Sequence, residues 1–127
     1  MFDHVEFPVG AIGPSRKFFA AALGELGVEE FFFDRKAGSA GFGTGDVTGL
    51  LIFEGDFGPR RLHVCFSASS AAQVAAAYAA GLDAGGRDNG GPGYRKDYAP
   101  GYYAAYLLDP DGNNIEFLYR DPNAAEL

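Results

Sequence analysis

The stretch His4-Val5-Glu6-Phe7 recurs as His63-Val64-Cys65-Phe66, an offset of 59 residues counted from residue 4 to residue 63. The same offset places Phe19 on Tyr78. Self-similarity at a fixed offset is typical of a duplicated structural unit. We therefore expect one domain over residues 1–127, built from a first module at about residues 1–58 and a second at about residues 59–120.

Each copy of the repeat predicts a strand followed by a helix. Apolar and polar residues alternate in both opening stretches, as in a strand with one buried face. In the first module, the spacing of Phe19, Leu23 and Leu26 matches one apolar face of a helix. In the second module, Ser69 or Ser70 can accept a backbone hydrogen bond as the N-cap.

Shorter strand signals follow each predicted helix. They lie at residues 30–34, 40–43 and 48–54 in the first module, and at 85–88, 102–108 and 113–119 in the second. The last two flank Asp109-Pro110-Asp111-Gly112, which fits a type I turn. The order βαβββ occurs twice along the chain and predicts an α+β fold. The glycine-rich segment 85–101 predicts a long loop beside the functional site, and the tail after Arg120 predicts a frayed end or a contact with a neighbouring subunit.

Composition and charge exclude several classes of partner. The formal net charge is −7 and the isoelectric point is about 4.6. The electrostatic field of such an acidic chain repels phosphate backbones and anionic lipid headgroups, so we expect neither a nucleic-acid nor a membrane partner. The single cysteine, Cys65, and the lack of a basic N-terminal segment or long apolar run indicate a cytoplasmic protein. Because Cys65 lies between Val64 and Phe66, we interpret it as a buried structural thiol and not as a nucleophile.

The two histidines of the chain, His4 and His63, occupy the same position of the repeat. Neutral imidazole is a common ligand of Zn, Ni, Fe and Mn ions. A single histidine at the start of a strand is more often a surface residue or a hydrogen-bonded core residue. The repetition of the position favours a shared metal site between the modules.

Glu116 is the candidate third ligand. If Asp109 faces Gly112 across the hairpin, Glu116 faces Ala105 and shares a strand face with Tyr103. A carboxylate in an otherwise apolar strand is costly unless it is paired or binds a cation. Two histidines and one carboxylate form a recognised catalytic metal set. An ion pair between Glu116 and Arg120 is the alternative interpretation.

Three stretches of the sequence resemble the vicinal oxygen chelate superfamily, which contains glyoxalases, bleomycin resistance proteins and extradiol dioxygenases. They are Asp3-His4-Val5, Leu62-His63-Val64-Cys65-Phe66 and residues 102–116, YYAAYLLDPDGNNIE. The resemblance implies two tandem βαβββ modules whose mixed sheets curl around a cavity, a divalent metal ion inside it, and a homodimer. The metal positions of the superfamily match His4, His63 and Glu116.

One departure from the superfamily pattern concerns the fourth ligand. Many members carry it on the last strand of the first module, where we match Ile52 to Glu116. Glu54 lies two residues further along the same strand face, about 6.6 Å away by strand rise. It either substitutes as a ligand or begins the polar turn that follows. The missing ligand favours a two-histidine-one-carboxylate site such as that of ring-cleaving dioxygenases, although these usually need a further acid–base histidine that this chain lacks.

Other candidate site residues have weaker support. Tyr103 is a candidate catalytic phenol, since a hydroxyl near a metal can donate a proton to an oxygen-rich ligand, and a core tyrosine is the alternative. Tyr98, Asn89 and Arg95 are candidate substrate-binding residues from the glycine-rich segment, and surface loop residues are the alternative.

Two functions remain open from the sequence. The first is a metal-dependent lyase, isomerase or ring-cleaving dioxygenase that acts on a small substrate through adjacent oxygens, with Glu116 and Tyr103 as catalytic residues. The second is a metal-free binding protein of the resistance type, in which an aromatic cleft holds a small molecule or drug.

Overall fold

The computed structural model describes residues 2–45, 47–56 and 58–123. In chain order the elements are β1 (Val5–Val9), α1 (Ile12–Gly24), β2 (Glu29–Asp34), β3 (Ser39–Thr44), β4 (Val47–Glu54), β5 (His63–Ser67), α2 (Ala71–Asp83), β6 (Arg87–Tyr94), β7 (Tyr102–Leu108) and β8 (Asn114–Arg120). The last residues of the predicted tail, 124–127, lie outside the described part of the chain.

The strands of the described residues form two four-stranded sheets, in the orders β1-β4-β3-β2 and β5-β8-β7-β6. The pairs β1–β4 and β5–β8 are parallel, and the other pairs are antiparallel. Each sheet packs against its own helix, and the two helices contact each other. The predicted α+β fold with two βαβββ units is confirmed.

The repeat found in the sequence corresponds to the structural repeat. Helix α2 begins and ends 59 residues after α1. The parallel pair Val64–Ile115 in the second sheet is the counterpart of Val5–Leu50 in the first. A cavity of about 350 Å³ lies between the edge strands β1 and β5, and both Glu6 and His63 line it.

The core is formed by the helices and by one face of each sheet. In α1 the predicted apolar face is buried, and the ring of Phe19 packs edge-on against Phe7 at a centroid distance of 6.0 Å. Ser70 caps α2 by accepting the N–H of Gln73 at 3.1 Å. No helix of the described residues is long and apolar enough to cross a lipid bilayer.

The glycine-rich segment is not the long loop that the sequence predicts, because its residues Arg87–Tyr94 form β6. The ladder between β6 and β7 uses backbone groups, so glycine can take part without a side chain to pack. The pairing shifts register on both sides of Gly90, whose φ of +142° requires glycine. The connection that remains before β7 covers only residues 95–101.

The hairpin between β7 and β8 corrects the predicted pairing by one residue. The predicted turn is present, since the N–H of Gly112 donates to the carbonyl of Asp109 at 2.9 Å. Gly112 then adopts φ +87°, and the N–H of Asp109 donates to the carbonyl of Asn113. This extra left-handed residue makes a three-residue loop with a bulge. Glu116 is therefore paired with Tyr106 and not with Ala105, which is fully buried in the core.

Asp109 and Asn113 fix this hairpin to the start of β5. The buried Asp109 carboxylate accepts hydrogen bonds from the backbone and the amide of Asn113 at 2.8 and 3.0 Å. The side-chain oxygen of Asn113 accepts the N–H of Leu62 at 2.9 Å. Burial raises the pKa of Asp109 above its ordinary value, although these donors oppose the shift. The network sets the position of His63, the next residue after Leu62.

Candidate functional site

The second sheet has one face on the core and one polar face. Ile115 and Phe117 point into the core, so Glu116 between them points the other way. The ladder pairings place polar side chains of β5, β7 and β8 on the same side as Glu116. We call this surface the polar face and define it by His63, Cys65, Tyr102, Tyr106, Asn114 and Glu116.

Glu116 lies at the centre of the polar face and is almost completely buried, with 4% of its side chain exposed. His63 Nε2 lies 3.0 Å from Glu116 Oε1. The hydroxyl of Tyr102 donates a hydrogen bond of 2.5 Å to Oε2. The two carboxylate oxygens therefore have different partners, one on β5 and one on β7.

The second ring nitrogen of His63 determines what Nε2 can do. Nδ1 lies 3.1 Å from the backbone carbonyl oxygen of Asn114. A carbonyl only accepts, so Nδ1 carries the hydrogen, and the Nε2 of a neutral imidazole presents a lone pair. Nε2 and the carboxylate oxygen are then two acceptors that face each other. A proton or a cation must lie between them.

This pair fits two positions of a divalent metal centre. Metal-binding histidines usually donate their other ring N–H to a carbonyl or carboxylate, as His63 does to Asn114. His63 Nε2 and Glu116 Oε1 lie 3.0 Å apart and are the nitrogen and oxygen atoms that would hold the ion.

His4 is placed apart from this pair. Its Nδ1 lies 2.7 Å from Asp3 Oδ1, and 48% of its side chain is exposed. The hydrogen bond to Asp3 raises the pKa of His4. Among the residues that the structure describes, no three His, Cys, Asp or Glu side chains are grouped closely enough to hold one ion. The structure brings together two of the three predicted ligands.

The two tyrosines of the polar face are neutral hydroxyl donors at physiological pH. Desolvation, together with the hydrogen bond to Glu116 and its charge, raises the pKa of Tyr102 to about 12. Desolvation and the charge of Glu116 also raise the pKa of Tyr106 well above its ordinary value. Both hydroxyls can therefore donate to an oxygen atom of Glu116 or of a bound ligand.

Cys65 lies on the polar face and is exposed, which corrects the prediction of a buried thiol. The alternation along β5 puts Val64 and Phe66 on the core side and Cys65 on the other. Desolvation of the sulfur and the charge of Glu116 raise the pKa of Cys65 to about 12. A thiolate is the reactive form, so this thiol is a poor nucleophile at neutral pH.

Tyr103 points away from Glu116, contrary to the predicted pairing. It is paired with Tyr119 and packs against the core, where its ring meets Tyr94 edge-on at 5.0 Å. The one-residue change at Gly112 moves every β7 side chain to the other face relative to β8. The sequence contained the residues that belong here, Tyr102 and Tyr106, but only the correct register places them beside Glu116.

In the first sheet, the position that corresponds to Glu116 is one residue earlier than the one that we matched. The pair Glu6–Leu51 is the counterpart of Cys65–Glu116, so Leu51 occupies the position of Glu116. Ile52 is fully buried in the core. Glu54 accepts the N–H of Ile12 at 3.0 Å and so caps the start of α1.

The predicted substrate-binding residues do lie together. Asn89, Arg95 and Tyr98 line one pocket of about 270 Å³ with Gly90, Tyr106 and Asn114. Asn114 and Tyr106 belong to the polar face, so the pocket adjoins Glu116. The alternative ion pair of Glu116 is not seen within the described residues, because the Arg120 guanidinium lies over the ring of Tyr102 at 5.2 Å.

Comparison with known proteins identifies a family. The family model described as Glyoxalase/Bleomycin resistance protein/Dioxygenase superfamily matches residues 1–117. A glyoxalase/bleomycin resistance protein from Albidiferax ferrireducens T118 is 33% identical, with a TM-score of 0.78 over 95% of this chain and 99% of that one. No curated protein matches the sequence.

Two more distant structures share the fold. Lactoylglutathione lyase from Agrobacterium tumefaciens is 18% identical, with a TM-score of 0.66 over 94% of this chain and 92% of that chain. Fosfomycin resistance protein FosX from Mesorhizobium loti is 17% identical, with a TM-score of 0.68 over 96% of this chain and 93% of that chain.

Proposed function

Since this chain belongs to the glyoxalase/bleomycin resistance protein/dioxygenase superfamily, we propose that it is a metal-dependent enzyme acting on a small substrate through adjacent oxygens. The polar face is the proposed active site. His63 and Glu116 are the proposed ligands of a divalent ion, which could be Fe, Ni, Zn or Mn. His4 is the proposed third ligand.

This proposal depends on two contacts of His63. Its Nε2 lies 3.0 Å from Glu116 Oε1, and its Nδ1 faces the carbonyl of Asn114. An almost buried carboxylate is unfavourable without a compensating charge. A divalent ion between the two acceptors would supply that charge. When bound, it would act as a Lewis acid that polarises the adjacent oxygens of a substrate.

The residues around the pair have distinct roles in this proposal. Tyr102 holds Glu116 through its hydrogen bond to Oε2 and leaves Oε1 for the ion. Tyr106, directly across the ladder from Glu116, keeps its proton at neutral pH and can donate a hydrogen bond to a substrate oxygen. Tyr106 therefore replaces Tyr103 as the proposed catalytic tyrosine.

His4 contacts Asp3 through Nδ1, so Nε2 is the ring nitrogen that would bind the ion. His4 precedes β1, and its hydrogen bond to Asp3 is exposed to solvent. A histidine ligand usually donates its other ring N–H to a carboxylate, so the bond to Asp3 is compatible with metal binding.

A metal-free binding protein is the second candidate function, and one observation favours it. If His63 carries a second proton, it forms an ion pair with Glu116, whose other oxygen already accepts a hydrogen bond from Tyr102. The carboxylate is then satisfied without a metal ion. In this case the polar face would hold a small molecule by hydrogen bonds and aromatic contacts.

Metal content separates the two functions. The protein is purified without a histidine tag or added metal, and elemental mass spectrometry is applied before and after incubation with Fe, Ni, Zn and Mn salts. We expect close to one ion per chain in the wild type and a loss of at least about tenfold in His63→Ala and Glu116→Gln. Glu25→Gln, an exposed glutamate after α1, is the matched control.

The His4→Ala variant tests the third ligand. If His4 contributes, this variant binds metal more weakly than the wild type but retains more than His63→Ala. A wild-type protein that contains no metal and takes up none would refute the metal-dependent enzyme and leave the binding protein.

A further inference from the structure

Beside the proposed metal ligands lies a second group of polar residues that the metal does not require. The pocket of about 270 Å³ is lined by Asn89, Gly90, Arg95, Tyr98, Tyr106 and Asn114. Tyr106 is also paired with Glu116 across the β7–β8 ladder. A ligand in this pocket would therefore lie next to the polar face.

Arg95 brings a fixed positive charge to the pocket. Its Nη1 donates to the carbonyl of Gly93 at 2.8 Å, and its Nη2 donates to that of Gly91 at 2.7 Å. The guanidinium also lies over the ring of Tyr106, 5.3 Å from the centroid. These contacts with β6 and β7 hold the group in place before any ligand binds.

The charge of Arg95 is not neutralised within the part of the chain that the structure describes. Arg16 illustrates the contrast, because it forms an ion pair of 2.6 Å with Glu30. No such carboxylate lies within ion-pair distance of Arg95 in residues 2–45, 47–56 and 58–123. A guanidinium has five N–H groups, and the two glycine carbonyls account for two of them. Three N–H groups remain for a ligand.

Two amide side chains add neutral donors beside this charge. Asn89 Nδ2 donates to Asn114 Oδ1 in a long hydrogen bond of 3.3 Å. Each amide group has two N–H donors, so the nitrogen of Asn114 and the second hydrogen of Asn89 stay available. One cation with neutral donors around it matches a ligand group that carries one negative charge.

We propose that Arg95 and the amides of Asn89 and Asn114 bind the carboxylate of the substrate. This inference rests on the proposed function. A planar guanidinium recognises a carboxylate through parallel N–H···O bonds. Tyr98 is 64% exposed, and its ring packs edge-on against Tyr102 at 5.2 Å, so it offers an aromatic surface to the body of the ligand. The substrate class is a small carboxylic acid that carries its reacting oxygens at the end near Glu116.

Benzoate and its neutral analogue benzamide test this proposal on the full-length chain. The protein is first freed of metal ions on a chelating resin, and backbone amide signals are followed by NMR during titration. We expect benzoate to shift the signals of Gly90, Gly93 and Asn114 and to bind at least about tenfold more tightly than benzamide. The Arg95→Gln variant is expected to lose this preference.

Control variants separate binding from folding. Arg35→Gln removes another arginine that lies over a ring, that of Phe33 at 5.6 Å, and is expected to leave benzoate binding unchanged. Asn89→Asp leaves Arg95 unchanged and adds a negative charge to the pocket. We expect this variant to weaken benzoate binding but not benzamide binding.

Equal binding of benzoate to the wild type, Arg95→Gln and Asn89→Asp would overturn the proposal, as would no binding to the wild type. Tighter binding of phenylphosphonate than of benzoate would overturn the assignment to carboxylates. A chain that binds metal but not benzoate would refute this inference alone. A chain that binds benzoate but no metal would refute the proposed enzyme alone.

Discussion

Glu116 is the residue on which the proposed active site depends. Its sequence neighbours Ile115 and Phe117 are fully buried, and its own carboxylate is almost as buried, so its charge must be compensated. The sequence could predict this requirement from the apolar strand around it. It could not predict the partner Tyr102, because the identity of that partner depends on a one-residue difference in the hairpin.

The hydroxyl of Tyr102 is expected to stabilise the fold through Glu116. Tyr102→Phe removes a hydrogen bond to a buried carboxylate, so we expect a loss of about 1–3 kcal/mol in the free energy of unfolding. Urea denaturation followed by circular dichroism measures this change. Tyr103→Phe on the other face of β7 is the matched control, with an expected change below about 0.5 kcal/mol. Equal losses in both variants would contradict the assigned register.

The elements differ in how well the sequence predicts them. Helices α1 and α2 follow from periodic apolar residues and from the repeat, because local spacing determines which face is buried. Only the start of strand β6 was predicted, at residues 85–88, because its glycines carry no side-chain pattern while their backbone groups still pair with β7. The β7–β8 register was missed because a left-handed Gly112 adds a residue to the loop.

Contact between α1 and α2 depends on Gly81. A Cβ atom at this position would lie 2.6 Å from Leu107 Cδ1 and 3.2 Å from both Ala22 Cβ and Phe18 Cε1. Gly81→Ala should therefore destabilise the protein by about 1–3 kcal/mol, although alanine favours a helix. At Gly24, the end of α1, nothing lies within 4 Å of the added atom. Gly24→Ala should stabilise it by about 0.4–1 kcal/mol.

Thermal unfolding of the two glycine variants beside the wild type gives both values. Close packing of α1 and α2 requires a lower melting temperature for Gly81→Ala and a higher one for Gly24→Ala. If Gly81→Ala melted at or above the temperature of the wild type, the two helices would not pack as closely as the structure places them.

At the scale of the whole molecule, the two modules share a fold but not their chemistry. Equivalent positions hold Leu51 and Glu6 in the first sheet and Glu116 and Cys65 in the second. The histidines share a repeat position, as the sequence indicates, yet His63 faces Glu116 while His4 faces Asp3. Sequence symmetry predicted the architecture, whereas side-chain placement depended on contacts outside the repeat.

The net charge of the chain differs in sign from the charge near the proposed ligand pocket. The net charge is −7, but Arg95 and Arg120 place positive charge over the tyrosines near Glu116. The local charge favours an anionic ligand, since short-range interactions in a pocket are screened less than those across the surface. The homodimer and the cytoplasmic location stay predictions.

The most direct test of the proposed metal site is to locate a metal ion by anomalous X-ray diffraction in crystals grown with zinc, nickel or manganese salts. We expect one strong peak bound to both His63 Nε2 and Glu116 Oε1, with Tyr102 still bonded to Oε2. Crystals in which no peak lies there and His63 remains hydrogen-bonded directly to Glu116 with all three metals would contradict the proposed metal site.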